Sequence, residues 1–477
     1  MLGAFANEGR RVLRKLLVVP LLVSAVPWVG HARQNTGAGL DDLSKRVSEL
    51  SALVERLQAR LDLLEGKSAA PSQPAVSAAT AAPSPEPAPP PSAAAPPLTT
   101  AAVPAGFWSG TTFNASFDAY YAFNFNNPIG RVNLLRALDI SSNAFSLNQA
   151  DVVIENAPDP AHDKRLGLRL DLQFGQATAA MQGNASNEPR PDVYRNIFQA
   201  YGTYVVPLGT GLTVDFGKWA SSLGLEGNYT QDQMNYSRSL LFAMLPFYHM
   251  GARVNYKVSD TFGLNYWITN GTQQTEPFNG FKDQLFGFTV TPGKKLAWTA
   301  NYYLGQEHPD VQFLPNYTGS NLPTEQGIPF EPIPNPPSGK LHIFDSYFTW
   351  QASPKLTLAW EGDFLIERLL TTSPPQHVIG TAGYFRYQLT PALAIAARTE
   401  YLSDRDGLFS ETAQAIKENT FTLERKIAAG FLLRTEWRRD ASNHPYFLTD
   451  TLGTLKKEQN TATLGVVWWI GGKQGPW

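Results

Sequence analysis

The charged side chains between Trp108 and Trp469 mostly stand one at a time between apolar neighbours. In Leu358-Ala359-Trp360-Glu361-Gly362-Asp363-Phe364, Glu361 and Asp363 share one face and Leu358, Trp360 and Phe364 the other. Leu166, Leu168, Leu170, Leu172 and Phe174 likewise point away from Gly167, Arg169, Asp171 and Gln173. Extended by the same rule, the polar face holds Arg169, Asp171, Asp215, Arg253, Glu361, Asp363, Arg386, Arg398, Glu400, Arg434 and Glu436. Such groups can pair with one another and keep an interior wet. Their mixed signs argue against a strongly anion- or cation-selective ring. A long segment, Ala220–Tyr248, adds Glu226, Asp232 and Arg238. If it folds inward, Arg238 should lie near the narrowest point and face Asp215 or Asp171. There it would set up a transverse field that orders water. The competing role is a structural arginine that staples the segment to a wall.

Catalytic chemistry has weaker candidates. Seven histidines (His31, His162, His249, His308, His342, His377 and His444) are scattered without metal-ligand spacing. With no cysteine, disulfides, thiolate nucleophiles and Cys-bound metals are all excluded. Ser346 and His342, four apart on one strand, share a face, but Phe344, Phe348 and Trp350 are on it too. That face reads as a lipid-facing stripe. Two carboxylates two apart on a strand, Glu361 and Asp363, need no catalytic explanation. No enzyme activity, cofactor or metal is expected.

The elements that must position these groups are strands. Period two gives a strand two faces, and here one is apolar and the other charged. Sixteen strands are expected, centred near Phe117, Asp151, Leu170, Tyr201, Asp215, Arg253, Tyr266, Phe288, Asn301, Tyr347, Glu361, Arg386, Arg398, Thr422, Arg434 and Gly465. Short turns such as Pro207–Gly211, Val258–Thr261 and Ser353–Lys355 alternate with long gaps such as Asn126–Ala144, Ala220–Tyr248 and Gly305–Lys340. That parity fits an antiparallel transmembrane β-barrel, with lipid outside and water inside, and puts both of its ends on the turn side. On a lipid face a midplane Arg costs ~2–4 kcal/mol, so the charges must point inward. Leu240-Leu241-Phe242-Ala243-Met244-Leu245 is too apolar to sit in water. It should pack on the barrel wall, unless it is itself part of a strand. The proline-rich stretch 306–339, with Pro329, Pro332, Pro334, Pro336 and Pro337, should cover the outer mouth or hang as a flap.

Several stretches resemble the OmpL-like outer-membrane porin family. They are Ser116-Phe117-Asp118-Ala119-Tyr120-Tyr121 with Asn126-Asn127-Pro128, then Gly167-Leu168-Arg169-Leu170-Asp171 with Phe174-Gly175, and Gln199-Ala200-Tyr201. They continue with Val214-Asp215-Phe216-Gly217-Lys218, Gly224-Leu225-Glu226, Asn235-Tyr236-Ser237-Arg238-Ser239, Gly251-Ala252-Arg253 and Glu436-Trp437-Arg438-Arg439-Asp440. The likeness spans roughly residues 107–477 and implies a β-barrel channel of unspecified substrate.

The remaining sequence has its own logic. Arg10, Arg11, Arg14 and Lys15 precede the apolar stretch Leu16–Val26 and the small residues Gly30-His31-Ala32, the pattern of an export signal over residues 1–32. In 33–66, Leu40, Leu43, Val47, Leu50, Val54, Leu57, Leu61 and Leu64 form an unbroken a/d seam, so a coiled-coil helix is expected. Residues 67–105 are nearly all Ala, Pro and Ser and read as an extended linker. The barrel would occupy 106–477. Net charge is −2, so nothing points to nucleic acid. Charged residues make up 17% and aromatics 12%, which suits a barrel with aromatic girdles. The fold class expected is therefore all-β: a barrel of about sixteen strands in the outer membrane of a diderm bacterium, with the coil in the periplasm. The expected function is passive diffusion of small hydrophilic solutes or ions. Partners would be outer-membrane lipid, the solutes and further copies of the chain, a trimer being favoured. Peptidoglycan or another periplasmic partner is a candidate for the coil. The alternative is a structural tether, a barrel that anchors the coil to the envelope with little flux.

Overall fold

A computed structural model describes residues 110–182, 188, 191–313 and 330–473. The export signal, the coil, the linker and Trp477 lie outside the described residues. Sixteen antiparallel strands close into one barrel. They are β1 (Thr112–Asn124), β2 (Ala144–Asn156), β3 (Leu166–Phe174), β4 (Ile197–Val206), β5 (Leu212–Ala220), β6 (Tyr248–Ser259), β7 (Phe262–Thr269) and β8 (Asp283–Val290). The second half is β9 (Leu296–Gly305), β10 (Leu341–Ser353), β11 (Leu356–Glu367), β12 (Gln376–Thr390), β13 (Leu393–Asp404), β14 (Gln414–Ala428), β15 (Phe431–Ser442) and β16 (Glu458–Gly471). Each strand pairs with its sequence neighbours, and β1 closes on β16 through Phe117↔Trp468 and Tyr121↔Leu464. All sixteen centres expected from the alternation fall inside a strand, and short turns alternate with long loops as the parity predicts.

The outer surface carries the apolar half of the alternation. Phe145, Leu166, Phe216, Phe286, Phe344, Trp350, Phe421, Leu464 and Trp468 are all exposed, as side chains in lipid must be. His342 and Ser346 belong to this outer face: His342 Nδ1 is 2.9 Å from the Tyr302 hydroxyl, and Ser346 accepts from Trp298 Nε1 at 3.0 Å. A charge on this surface should cost stability. Leu423 is outward and exposed, and Leu423→Arg should lower the unfolding free energy by ~2–4 kcal/mol if it lies near the midplane. Denaturant titration of the refolded protein in bilayers checks this.

The inner face is not uniformly polar, which corrects the sequence-based reading. At the loop end it turns apolar: Trp219, Trp267, Leu285, Tyr303, Ile343, Leu365, Val378, Leu402 and Ile416 are all buried in one cluster. The reason is the loop between β5 and β6, residues 221–247, which enters the barrel and contributes Leu223, Leu240 and Leu245 to that cluster. The run Leu240–Leu245 is neither strand nor surface. Its first five residues form a short helix, α1 (Leu240–Met244), capped by Ser239, whose side chain accepts from the Phe242 N–H. Leu240 and Leu241 are fully buried.

Of the proline-rich segment, residues 311–313 and 330–332 pair as a small two-stranded sheet. The rest of its middle is outside the described residues.

Candidate functional site

The inward loop is held by polar groups on both sides of its path. On one side, Asp118 of β1 accepts from the Tyr236 hydroxyl at 2.7 Å and from Thr230 Oγ1 at 2.6 Å. Gln149 of β2 donates to Asn228 Oδ1 at 2.6 Å. Asp171 of β3 accepts from the Tyr229 hydroxyl. Burial, and then the nearby carboxylates Asp171 and Asp118 respectively, hold Tyr229 and Tyr236 well above the ordinary phenol pKa, so both remain donors.

On the other side, Glu436 of β15 accepts from the Tyr236 and Ser237 N–H groups at 2.7 and 3.0 Å. Arg434 donates to the carbonyls of Thr230, Gln233 and Asn235. Glu400 of β13 accepts from the Leu240 N–H at 2.8 Å. Glu361 of β11 accepts from the Leu225 N–H at 3.0 Å. Arg398 joins the two systems: it lies 2.8 Å from Glu226 of the loop, 2.8 Å from Glu400 and 3.3 Å from Glu418. An irregular loop in a barrel must satisfy its backbone somewhere, and the inward charges of the strands do so here.

The expected inward residues thus serve different purposes. Glu361, Arg398, Glu400, Arg434 and Glu436 bind the loop, and Glu226, on the loop, accepts from the Ser239 N–H and pairs with Arg398. Arg169 is fastened to Asp171, with Nε–Oδ1 and Nη2–Oδ2 both 2.9 Å. Arg386 pairs with Glu424 at 2.7 Å. Asp215 and Arg253 form their own pair at 2.7 Å, with the guanidinium over the rings of Tyr201 and Trp219. Asp363 has no hydrogen-bond partner on either carboxylate oxygen.

Arg238 departs from expectation. It faces neither Asp171 nor Asp215. Its guanidinium donates to the carbonyls of Gly227, Tyr236 and Asn228 at 2.8 Å each and to Thr230 Oγ1 at 3.2 Å. Its donors are taken up inside the loop's own turn. Burial pulls its pKa down from the usual guanidinium value, and at 1% exposure its side chain does not line an open passage. Arg238→Ala would strand the buried carbonyls of Gly227 and Tyr236 at ~1–3 kcal/mol each. The expected result is a loop cut readily by protease. Arg238→Glu should give the same loss of loop order; a shifted reversal potential with the loop still protected would contradict this role.

Alternation alone could have added Asp118, Asp345, Glu418, Glu424, Arg438 and Asp440 to the inward set, since each keeps parity with an inward neighbour on its strand. Arg438 and Arg136 both bond Asp440, at 2.8 and 2.7 Å. Arg136, on the loop between β1 and β2, had no such signal. The buried pair His249 and Ser221 (Nε2–Oγ 3.2 Å) has no carboxylate on the second ring nitrogen, which meets the Gly271 carbonyl at 3.3 Å.

On the turn side of the apolar cluster, one arc of the wall is free of the loop. Along β6–β8, Arg253, Asn265 and Thr289 are half-buried and Asn255 and Lys257 exposed. A cavity of about 510 Å³ opens at the turn-side end of this arc, between the turns that carry Pro158, Pro160, Thr210 and Gly211 and the strand residues Thr213, Asn255, Lys257, Asn265 and Thr289. At its loop end this arc meets Trp219 and Trp267, whose rings stand edge to face 6.0 Å apart.

The sequence matches the family described as "Putative beta-barrel porin-2, OmpL-like" over residues 110–468. No curated protein matches it. Among solved structures it is similar to an anion-selective porin from Comamonas acidovorans (7% identity, 76% of this chain and 99% of that one, TM-score 0.48). It is also similar to a loop-deletion mutant of OmpT, an outer membrane protein of Vibrio cholerae (12% identity, 76% and 99%, TM-score 0.46). A third is Salmonella typhi OmpF in complex with daunomycin (10% identity, 76% and 97%, TM-score 0.43).

Proposed function

The chain belongs to the OmpL-like beta-barrel porin-2 family and is an outer-membrane porin; from that premise we propose that it passes small hydrophilic solutes passively through a narrow lane along β5–β9. The observation that carries this reading is the division of the lumen. Loop 221–247 is bonded to β1–β3 and to β10–β15, whereas Asn255, Asn265 and Thr289 line a cavity on the turn side that it does not fill. Mixed charge along the lane, Asp215 beside Arg253, supports modest ion selectivity. The apolar layer at the loop end supports low conductance, because a hydrophobic constriction resists wetting. We read no catalysis in this site.

Three finer points belong to the same proposal. The turn side, where the barrel's two ends lie, is periplasmic, which puts the heptad segment 33–66 in the periplasm. The coil draws copies of the chain into a homotrimer, a state that crosslinking of the full-length protein tests. A periplasmic partner of the coil would give the barrel a tethering role alongside its flux.

Liposome swelling with sugars of increasing size, together with single-channel recording in planar bilayers, tests the main reading. Entry of small sugars with a sharp size cut-off is expected. A folded, inserted barrel that passes neither ions nor sugars would leave the tether as its function.

A further inference from the structure

Asp345, Glu361 and Asp363 form a buried cluster of three carboxylates on β10 and β11, and we propose that it binds a calcium ion that fixes the inward loop to the wall. The strands dictate the juxtaposition. Asp345 and Asp363 are directly opposed across the β10–β11 ladder, and Glu361, two residues from Asp363, shares its face. One oxygen from each comes within 4.8 Å of the others, and the three residues are 2%, 1% and 2% exposed.

The second observation is that the set lacks partners where an ion would sit. Both oxygens of Asp363 and Oδ1 of Asp345 are buried and take no well-formed hydrogen bond; the two carboxylates face each other, and the Gly224 N–H is directed toward Asp345. The remaining oxygens are oriented from outside. Asn301 donates to Asp345 Oδ2 at 2.7 Å, Tyr384 to Glu361 Oε2 at 3.0 Å and the Leu225 N–H to Glu361 Oε1 at 3.0 Å. Among the described residues no Arg, Lys or His forms an ion pair with any of the three. The nearby cation, Arg398, is already shared by Glu226, Glu400 and Glu418. Buried carboxylates without a counter-charge are costly, and a cation removes that cost.

The donor set selects the metal. It is all oxygen and anionic, which suits a hard divalent ion and excludes soft-ligand metals. Calcium accepts irregular, mixed carboxylate geometry, whereas magnesium demands a near-ideal octahedron. The loop closes over the cluster at Gly224. This residue has φ +84°, and a Cβ there would stand 2.8 Å from Glu361 Oε1. Only glycine lets the backbone approach so closely. The ion would therefore hold the first turn of the loop against β11.

The test uses the full-length refolded protein, stripped with EDTA and exchanged into metal-free buffer. Calcium is titrated by calorimetry, and the unfolding temperature is followed in parallel. The wild type should bind one calcium per chain and unfold at higher temperature as calcium rises. Asp363→Asn, which removes one charge without changing shape, should remain heat-modifiable on a gel and lose both responses. Asp345→Asn provides a second variant should the first not fold. Absence of calcium binding by the wild type would overturn the proposal and indicate carboxyls that share protons. Equal binding by wild type and both variants, or tighter binding of magnesium than of calcium, would also overturn it. Neither readout depends on conductance, so the result stands apart from the proposed diffusion function.

Discussion

Replacing Arg398 with alanine should lower the unfolding free energy by about 3–5 kcal/mol, the usual cost of removing one member of a buried ion pair. Arg398 is fully buried and is shared by Glu226, Glu400 and Glu418. It also donates to the Ser237 carbonyl at 2.8 Å and the Arg238 carbonyl at 3.2 Å. Its removal leaves three carboxylates facing one another without their shared cation and releases the Ser237 carbonyl, while the Arg238 carbonyl keeps only its bond from Arg438. The loop should detach from β13 before the barrel itself unfolds, because the ladders of β13 with β12 and β14 do not involve the side chain. Two readouts should move together: protease should cut within 221–247 in a barrel that stays heat-modifiable, and single-channel current should rise and become noisy. Arg398→Lys restores a charge but not the fork of donors, so it should recover little. A folded Arg398→Ala channel with wild-type current would show that the loop is held by other contacts.

The second large effect is expected at Trp267. This side chain is 1% exposed, stacks edge to face on Trp219 and lies 5.2 Å from His249. Trp→Ala in a packed core costs ~3–5 kcal/mol. Here it would also remove the bulk of the apolar layer where the open arc reaches the loop end. Trp267→Ala should therefore unfold at lower denaturant and, once folded, conduct more than the wild type. Trp267→Phe should retain most of the stability and the low current. If Trp267→Ala conducts no better, the lane must leave the barrel elsewhere.

Much of this was legible in the sequence, and the physical reason is the strand period. A one-residue shift flips every side chain to the wrong face, so Leu166–Phe174 could be assigned without ambiguity. A midplane charge in lipid is expensive, so each Arg or Glu between apolar neighbours had to point inward. The alternation of short turns and long loops then fixed topology. The apolar run Leu240–Leu245 announced an inward loop because it could not remain in water.

What alternation could not reveal is what an inward side chain meets. Trp219, Trp267 and Ile343 have inward parity, but a rule that equates inward with wet gives them no role. They are apolar because α1 and its flanking leucines pack there. Arg238 was misplaced for the same reason. A loop that leaves the strand period carries no parity, and its partners depend on a turn that presents three carbonyls and the Thr230 hydroxyl to the guanidinium. Asp363 illustrates the limit from the other side: its direction was readable, its lack of any partner was not.

Cysteine modification in the open channel tests the central claim most directly, since the chain contains no cysteine and any introduced one reports alone. Asn255→Cys places a thiol on the arc that the loop leaves free. Thr422→Cys places one beneath the loop, where the native hydroxyl is 2.7 Å from Glu436 and 2.8 Å from Asn235. Single channels are recorded while a small charged thiol reagent is added. Passage along β5–β9 predicts a stepwise fall in current for Asn255→Cys and none for Thr422→Cys. Block at position 422 with no change at 255 would contradict it.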